Sequence, residues 1–381
     1  MENVLIATVL SFVVTYFSIP ILIKVAELKH LYDEPDERKA HKKRIPTLGG
    51  IGFFSGFIIA ATVCVPMLQN SPFQYMMAAF FIIFMVGLKD DIVGLSPLKK
   101  LIGQLMASFA IVYLGNIQLT NMYGFLGIYE LPPSISLMLT YFTFIVVINA
   151  FNLIDGVDGQ AGSIGLLVSA LLGAYFLHVG EITYAVLGFA LAGGLASFLI
   201  YNISPAKIFM GDTGSLLIGL VNAVLVLKFI DVAGNPAGKM PIGSCPGVAF
   251  AILIVPLFDT LRVFTVRMLN GRSPFSADRN HIHHYLLDLK LNHKQTTLVA
   301  VTVNAIFIAV AFALQSIGTT AMVMGVIASA MILTAMLYIV RKRRLAAIQP
   351  ILAPAAEAVV ATAAAQAKIL KVSTEGILQD K

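Results

Sequence analysis

NAFNLIDGVDGQAG, from Asn149 to Gly162, lies where one long apolar run ends and the next begins. Asn149, Asn152, Asp155 and Asp158 recur at every third position, a spacing that puts at least the first pair on one helix face. Gly156, Gly159 and Gly162 are interleaved with them, and glycine permits a tight turn and close backbone approach to a ligand. Amides and carboxylates at the edge of a hydrocarbon core are costly unless they bind something. The stretch therefore predicts membrane-crossing helices with a ligand-binding junction between two of them. A polar loop that merely joins two spans is the alternative.

The rest of the chain supports the membrane setting. Of 381 residues, 58% are hydrophobic and 12% charged, and the mean hydropathy is +0.87, more than a soluble core accommodates. The expected fold class is an all-α polytopic integral membrane protein. Eleven apolar runs approach the length needed to cross about 30 Å of hydrocarbon: 4–23, 48–68, 74–90, 101–117, 134–152, 160–179, 182–202, 213–230, 246–266, 296–316 and 319–340. The first starts with Glu2 and has neither a basic leader nor a small-residue cleavage site before Lys24, so it reads as a retained helix, not a signal peptide. Pro256 is expected to kink the ninth. Cys64 and Cys245 fall in or beside apolar runs and make neither a metal pair nor a disulfide framework.

Lysine and arginine placement orients the spans. With the N-terminus outside, the inner side takes 24 of the 26 basic residues and leaves only Lys228 and Lys239 outside. The C-terminus is then cytoplasmic. Residues 1–340 form the expected transmembrane domain, with inner loops at 24–47, 89–100, 149–160, 202–215 and 267–295. Residues 341–381 form a tail, basic and then Ala-rich, read as a surface helix or a disordered segment.

Those inner loops hold the polar residues suited to chemistry. HKKRIPTLGG, His41 to Gly50, is either a phosphate- or headgroup-attracting patch or the positive-inside bias alone. In GLKDDIVGLSPLKK, Asp90 and Asp91 repel one another unless a cation is shared. Their hard oxygens suit magnesium better than zinc. Lys99 and Lys100 follow, placed to meet a phosphate; an ordinary charged loop is the alternative. In KIFMGDTGSLLIG, Gly211 and Asp212 open an apolar helix, where an anion and a metal are both favoured. Asp212 reads as a magnesium ligand or as a helix N-cap, and Phe209 as a stacking surface. NGRSPFSADRNHIHHYLLD carries Arg272, Arg279, His281, His283 and His284. The histidine spacing lacks the i, i+4 geometry of a zinc site. The loop instead reads as a cationic, hydrogen-bonding surface for a diphosphate and a sugar. Acids for a metal, bases for phosphates and glycines for close approach fit phosphoryl transfer between a soluble and a lipid substrate.

These four motifs, in this order over about residues 1–340, resemble the polyprenyl-phosphate N-acetylhexosamine-1-phosphate transferases, relatives of the peptidoglycan lipid-precursor translocase. The resemblance implies transfer of HexNAc-1-phosphate from a UDP-sugar to undecaprenyl phosphate, with release of UMP. It also implies magnesium, with manganese as a substitute, a multi-pass bacterial inner-membrane location with the site on the cytoplasmic face, and a homodimer among membrane lipids; no nucleic acid is expected. It makes Asp90 and Asp91 the catalytic pair, Asp212 and Asn152 the metal site, and Lys100 the contact to the lipid phosphate. Asn149, Asp155, Asp158, Phe209, Gly211, Arg272, Arg279, His281, His283 and His284 become substrate-binding. HIHHYL interrupts the three consecutive histidines of the translocase, so a simple HexNAc sugar is implied. The rival from another class is an ion-coupled transporter. It would call for repeats and acids near the midplane, whereas here the acids cluster at span ends.

Overall fold

The computed structural model describes residues 1–29, 32–33, 45–66, 71–272 and 280–347. Hydrocarbon offers a backbone no hydrogen-bond partners, so apolar segments of this length satisfy themselves as helices. The first part runs α1 (Glu2–Lys29), α2 (Gly49–Cys64), α3 (Phe73–Val93), α4 (Pro97–Phe109) and α5 (Pro133–Leu153). It continues through α6 (Gln160–Val179), α7 (Ile182–Asn202), α8 (Gly211–Ala233), α9 (Cys245–Ile252) and α10 (Ile254–Leu269). A short α11 (Ile282–Asp288) and α12 (His293–Ala313) precede α13 (Thr319–Ala347). The chain divides into a compact unit, Met1–Ala330, and a second, Met331–Lys381, of which 331–347 are described and helical.

Among the described residues, seven helices are long and apolar enough to cross a membrane, and eight if α9 and α10 count as one span. The protein is a multi-pass helical membrane protein. Three of the eleven expected runs form helices that fall short of that measure. α2 has 16 residues, α3 ends in Lys89, Asp90 and Asp91, and α4 has 13 residues continued by a π-helical turn over Ala110–Leu114. The 116–133 segment contains an antiparallel hairpin, β1 (Asn121–Phe125) with β2 (Ile128–Glu130).

α8 is the centre of the first unit, 83% of its apolar stretch lying inside the protein against 22% for α1. It packs on α2, α3, α5, α6 and α9, so its N-terminus gathers residues from several helices.

The ninth span is broken more sharply than a kink. α9 and α10 meet at 82°, and the break falls at Leu253, before Pro256. A proline ring displaces the carbonyl four residues earlier, here that of Ile252. Asn304 of α12, fully buried, receives the displaced groups: its Nδ2 donates to the Ile252 carbonyl at 3.0 Å, and its Oδ1 accepts from Val255 N–H at 3.2 Å.

Candidate active site

The site is built on the start of α8. Gly87 of α3 lies against Thr213, so close that a Cβ would stand 2.5 Å from the Thr213 Cα. This approach carries Asp91, one turn on, to the end of α8. Its two carboxylate oxygens accept from Asp212 N–H at 2.7 Å, Thr213 N–H at 2.9 Å and Thr213 Oγ1–H at 2.5 Å. Asp91 thus satisfies the orphan amides of α8 and complements its dipole. Met210 occupies the N-cap position, with no side-chain cap. The N-cap alternative for Asp212 is therefore not what the chain does: Asp91 caps from another helix, and Asp212 turns its carboxylate elsewhere. Gly211 opens the helix with φ +70°.

Lys100, at the start of α4, is the hub. Its Nζ lies 3.1 Å from Asp90 Oδ2, pairs with Asp212 Oδ2, and donates to Asn152 Oδ1 at 3.3 Å. Asn152 Nδ2 donates to Asp212 Oδ1 at 2.8 Å and to Ser215 Oγ at 3.0 Å. The remaining Asp90 oxygen accepts Leu95 N–H at 2.5 Å, which fixes the turn after α3.

Asn149 does not join this cluster. One turn before Asn152 and within about 60° of it around α5, Asn149 meets α4 one turn beyond Lys100, too far along to reach α8. Its side chain exchanges hydrogen bonds with Gln104, at 2.8 and 3.3 Å. The every-third-residue series loses its helix altogether after Leu153, and Asp155 and Asp158 sit in the turn before α6. Asp155 is half-buried and accepts no hydrogen bond among the described residues. Burial, then the charges of Asp212, Asp91 and Asp158, push its carboxyl well above the ordinary aspartate range. Asp158 is tied into the scaffold instead: His293 Nδ1 lies 3.1 Å from it, and Ala206 N–H donates at 3.4 Å. Burial opposes ionisation there, but the His293 contact outweighs it and holds Asp158 below the usual value.

The Phe209 backbone pairs with the first inner loop. Its N–H donates to the Pro46 carbonyl at 2.7 Å, and its carbonyl accepts Gly49 N–H at 2.9 Å. Of the basic patch in that loop, His41 to Arg44 lie outside the described residues, as does Arg279. Arg272 is exposed beyond the end of α10.

The histidine loop differs from the cationic surface expected. His283 is 3% exposed, and burial, followed by the neighbouring His284, lowers its pKa to about 3. It is neutral, and it packs so closely on Gly156 that a Cβ there would meet Nε2 at 2.7 Å. His281 is 5% exposed and turns its Nδ1 to Asp259, 2.9 Å away. His284 is half-buried, tilted against His283 with ring centroids 4.3 Å apart. Asp259 and its neighbour Arg262 were missed as site residues, although Asp259 is the lone carboxylate of the 246–266 run, a placement that itself signals function.

Among the described residues no three His, Cys, Asp or Glu side chains form a ready-made metal cage. Magnesium, however, is characteristically held by one or two carboxylates, with water and phosphate oxygens completing the shell. Asp90, Asp212 and the Asn152 carbonyl turn hard oxygens on one cation, the Lys100 ammonium, and Asp155 adds an unbonded carboxyl in the same field. That donor set fits such an ion.

Fold and site together define a polytopic helical membrane protein with an acid–lysine centre at its helix ends. Residues 73–230 match glycosyl transferase family 4, and the chain belongs to that family. It is 32% identical over 320 residues to the decaprenyl-phosphate N-acetylglucosaminephosphotransferase of Mycolicibacterium smegmatis, spanning 77% of this chain and 78% of that protein. A probable undecaprenyl-phosphate N-acetylglucosaminyl 1-phosphate transferase of Bacillus subtilis is 30% identical over 322 residues, 83% and 86% of the two chains. The undecaprenyl-phosphate alpha-N-acetylglucosaminyl 1-phosphate transferase of Escherichia coli is 28% identical over 291 residues, 75% and 77%. None of these relatives supports an ion-coupled transporter.

Proposed function

We propose that this protein transfers N-acetylglucosamine 1-phosphate from UDP-GlcNAc to a polyprenyl phosphate, undecaprenyl phosphate foremost, and releases UMP. The observation that carries the reading is the Lys100 ammonium held among Asp90, Asp212 and Asn152. It is a phosphate-seeking cation inside a set of oxygen ligands, in a chain whose relatives carry that activity in their names. An oxygen of the lipid phosphate attacks the β-phosphorus of the sugar nucleotide. The bond from that phosphorus to the bridging oxygen breaks, and UMP departs with its electron pair. Lys100 orients the lipid phosphate, and Asp90 steers or accepts its last proton. Asp212 and Asn152 would hold magnesium, which supplies charge neutralisation of the diphosphate.

A phosphate monoester has a second pKa of about 6 and needs little general base. Direct attack is therefore favoured over a covalent aspartyl intermediate. Asp90→Asn is expected to keep a few per cent of activity, a loss somewhat smaller than the roughly 10²-fold contribution of one full acid–base group. A complete loss, with a trapped phospho-sugar on the wild-type chain, would favour the covalent route.

The reading carries a topology of eleven crossings, with the N-terminus outside and the site on the cytoplasmic face of a bacterial inner membrane. The bias of basic residues supports it, and helices as short as α2 are accommodated by local thinning of the bilayer. The test is UMP release by purified protein in detergent with polyprenyl phosphate, magnesium and a panel of UDP-HexNAc sugars. Release should require lipid and metal and should vanish in Asp212→Ala. Folded protein that releases nothing with any sugar would overturn the proposal.

A further inference from the structure

The buried acid of α10 is unused by the mechanism above. Asp259 is 2% exposed, and its two oxygens accept from three donors: Arg262 Nη2 at 2.8 Å, His281 Nδ1 at 2.9 Å and Ile282 N–H at 3.0 Å. Arg262 reaches across the same junction, donating to the Asn280 carbonyl and, at 3.4 Å, to the Tyr285 hydroxyl. One carboxylate and one guanidinium of α10 thus hold the chain on both sides of His281. The contact continues inward. The His281 ring stacks parallel to His283, with centroids 5.6 Å apart and planes within 2°. His283 abuts Gly156, next to Asp155 of the acidic cluster.

We infer that Asp259 is a positioning residue, which clamps the 280–288 segment through His281 and so fixes the wall of the site beside Asp155 and Gly156. What that wall receives, the sugar–diphosphate portion of the donor, rests on the transferase reading; the clamp stands on its own contacts. A carboxylate is required because all three partners are donors. An asparagine would turn an NH₂ group against one of them and leave buried donors unpaired.

Hydrogen exchange and kinetics on the full chain in detergent test this. In the wild type, the 280–288 segment should be protected. Asp259→Asn should speed exchange there about tenfold or more, the equivalent of losing a charge-assisted hydrogen bond, and leave α3 and α8 unchanged. The KM for UDP-sugar should rise about tenfold, while that for polyprenyl phosphate stays within about twofold. His281→Phe, which keeps ring volume but deletes the bond, should give the same exchange signature. It carries the test if the Asp259 variant does not fold. The double variant should be no worse than either single one. Unchanged exchange at 280–288, exchange rising throughout the molecule, or a fall in kcat with both KM values intact would overturn the clamp. Variants that show the exchange signature beside a protected wild type that releases no UMP would overturn the transferase reading and leave the clamp standing.

Discussion

Asp155 shows how much a single residue's role depends on its neighbours. Its carboxyl holds a proton more tightly in the fold than the ordinary value of 3.8, because burial and nearby acids resist its charge. The unfolded chain therefore ionises first as pH rises, and the folded state is progressively disfavoured until pH passes the raised folded value. Asp155→Asn removes that liability. The melting temperature of the ligand-free protein should rise by roughly 2–4 °C at neutral pH, the gain should disappear near pH 4, and UMP release should fall. An equal gain at both pH values would show that the site does not resist ionisation. A carboxyl placed where burial and neighbouring acids resist its charge is a mark of function rather than packing. The reach of this carboxyl toward Asp212 and Asp91 was not legible in the sequence, whose regular spacing suggested only a helix face.

At the scale of elements, the broken span is the clearest device. Pro256 made a bend legible in the sequence, but neither its angle nor the Asn304 side chain that completes it, 48 residues away, could be read there. Asn304→Leu keeps side-chain volume but leaves the Ile252 carbonyl and the Val255 N–H without partners. It should destabilise the protein by about 1–3 kcal/mol, read as a lowered melting temperature in detergent. A neutral Asn304→Leu would mean that water or a backbone shift serves the break equally well. α8 makes the same point from the other side. A helix N-terminus preceded by glycine was visible in KIFMGDTG, whereas its cap comes from Asp91 of α3. An adjacent pair that looked like one catalytic unit is thus divided: Asp91 anchors a helix and Asp90 faces Lys100.

Across the whole molecule, charge asymmetry and apolar length set the arrangement. Cys64 and Cys245 are both buried, so the native chain gives little background to thiol labelling. A cysteine at exposed Glu130 on β2 should react with an impermeant maleimide in intact cells. One at exposed Lys290 should react only after permeabilisation. The reverse pattern would invert the orientation and move the acid–lysine centre to the other face.

By itself the sequence determined the class of fold, the apolar runs that form its helices and the order of the four polar motifs that mark its family. Hydrophobic length, turn residues and motif order are local properties, written along the chain. Only the tertiary structure decided which polar groups meet. It directed Asn149 to Gln104 and Asn152 to Asp212, tied Asp158 to His293, and set a neutral His283 against Gly156. It also brought Asp259 to His281. Each of these pairings depends on helix rotation and close approach between segments distant in sequence. A buried hydrogen bond forms only where packing delivers both partners within about 3 Å.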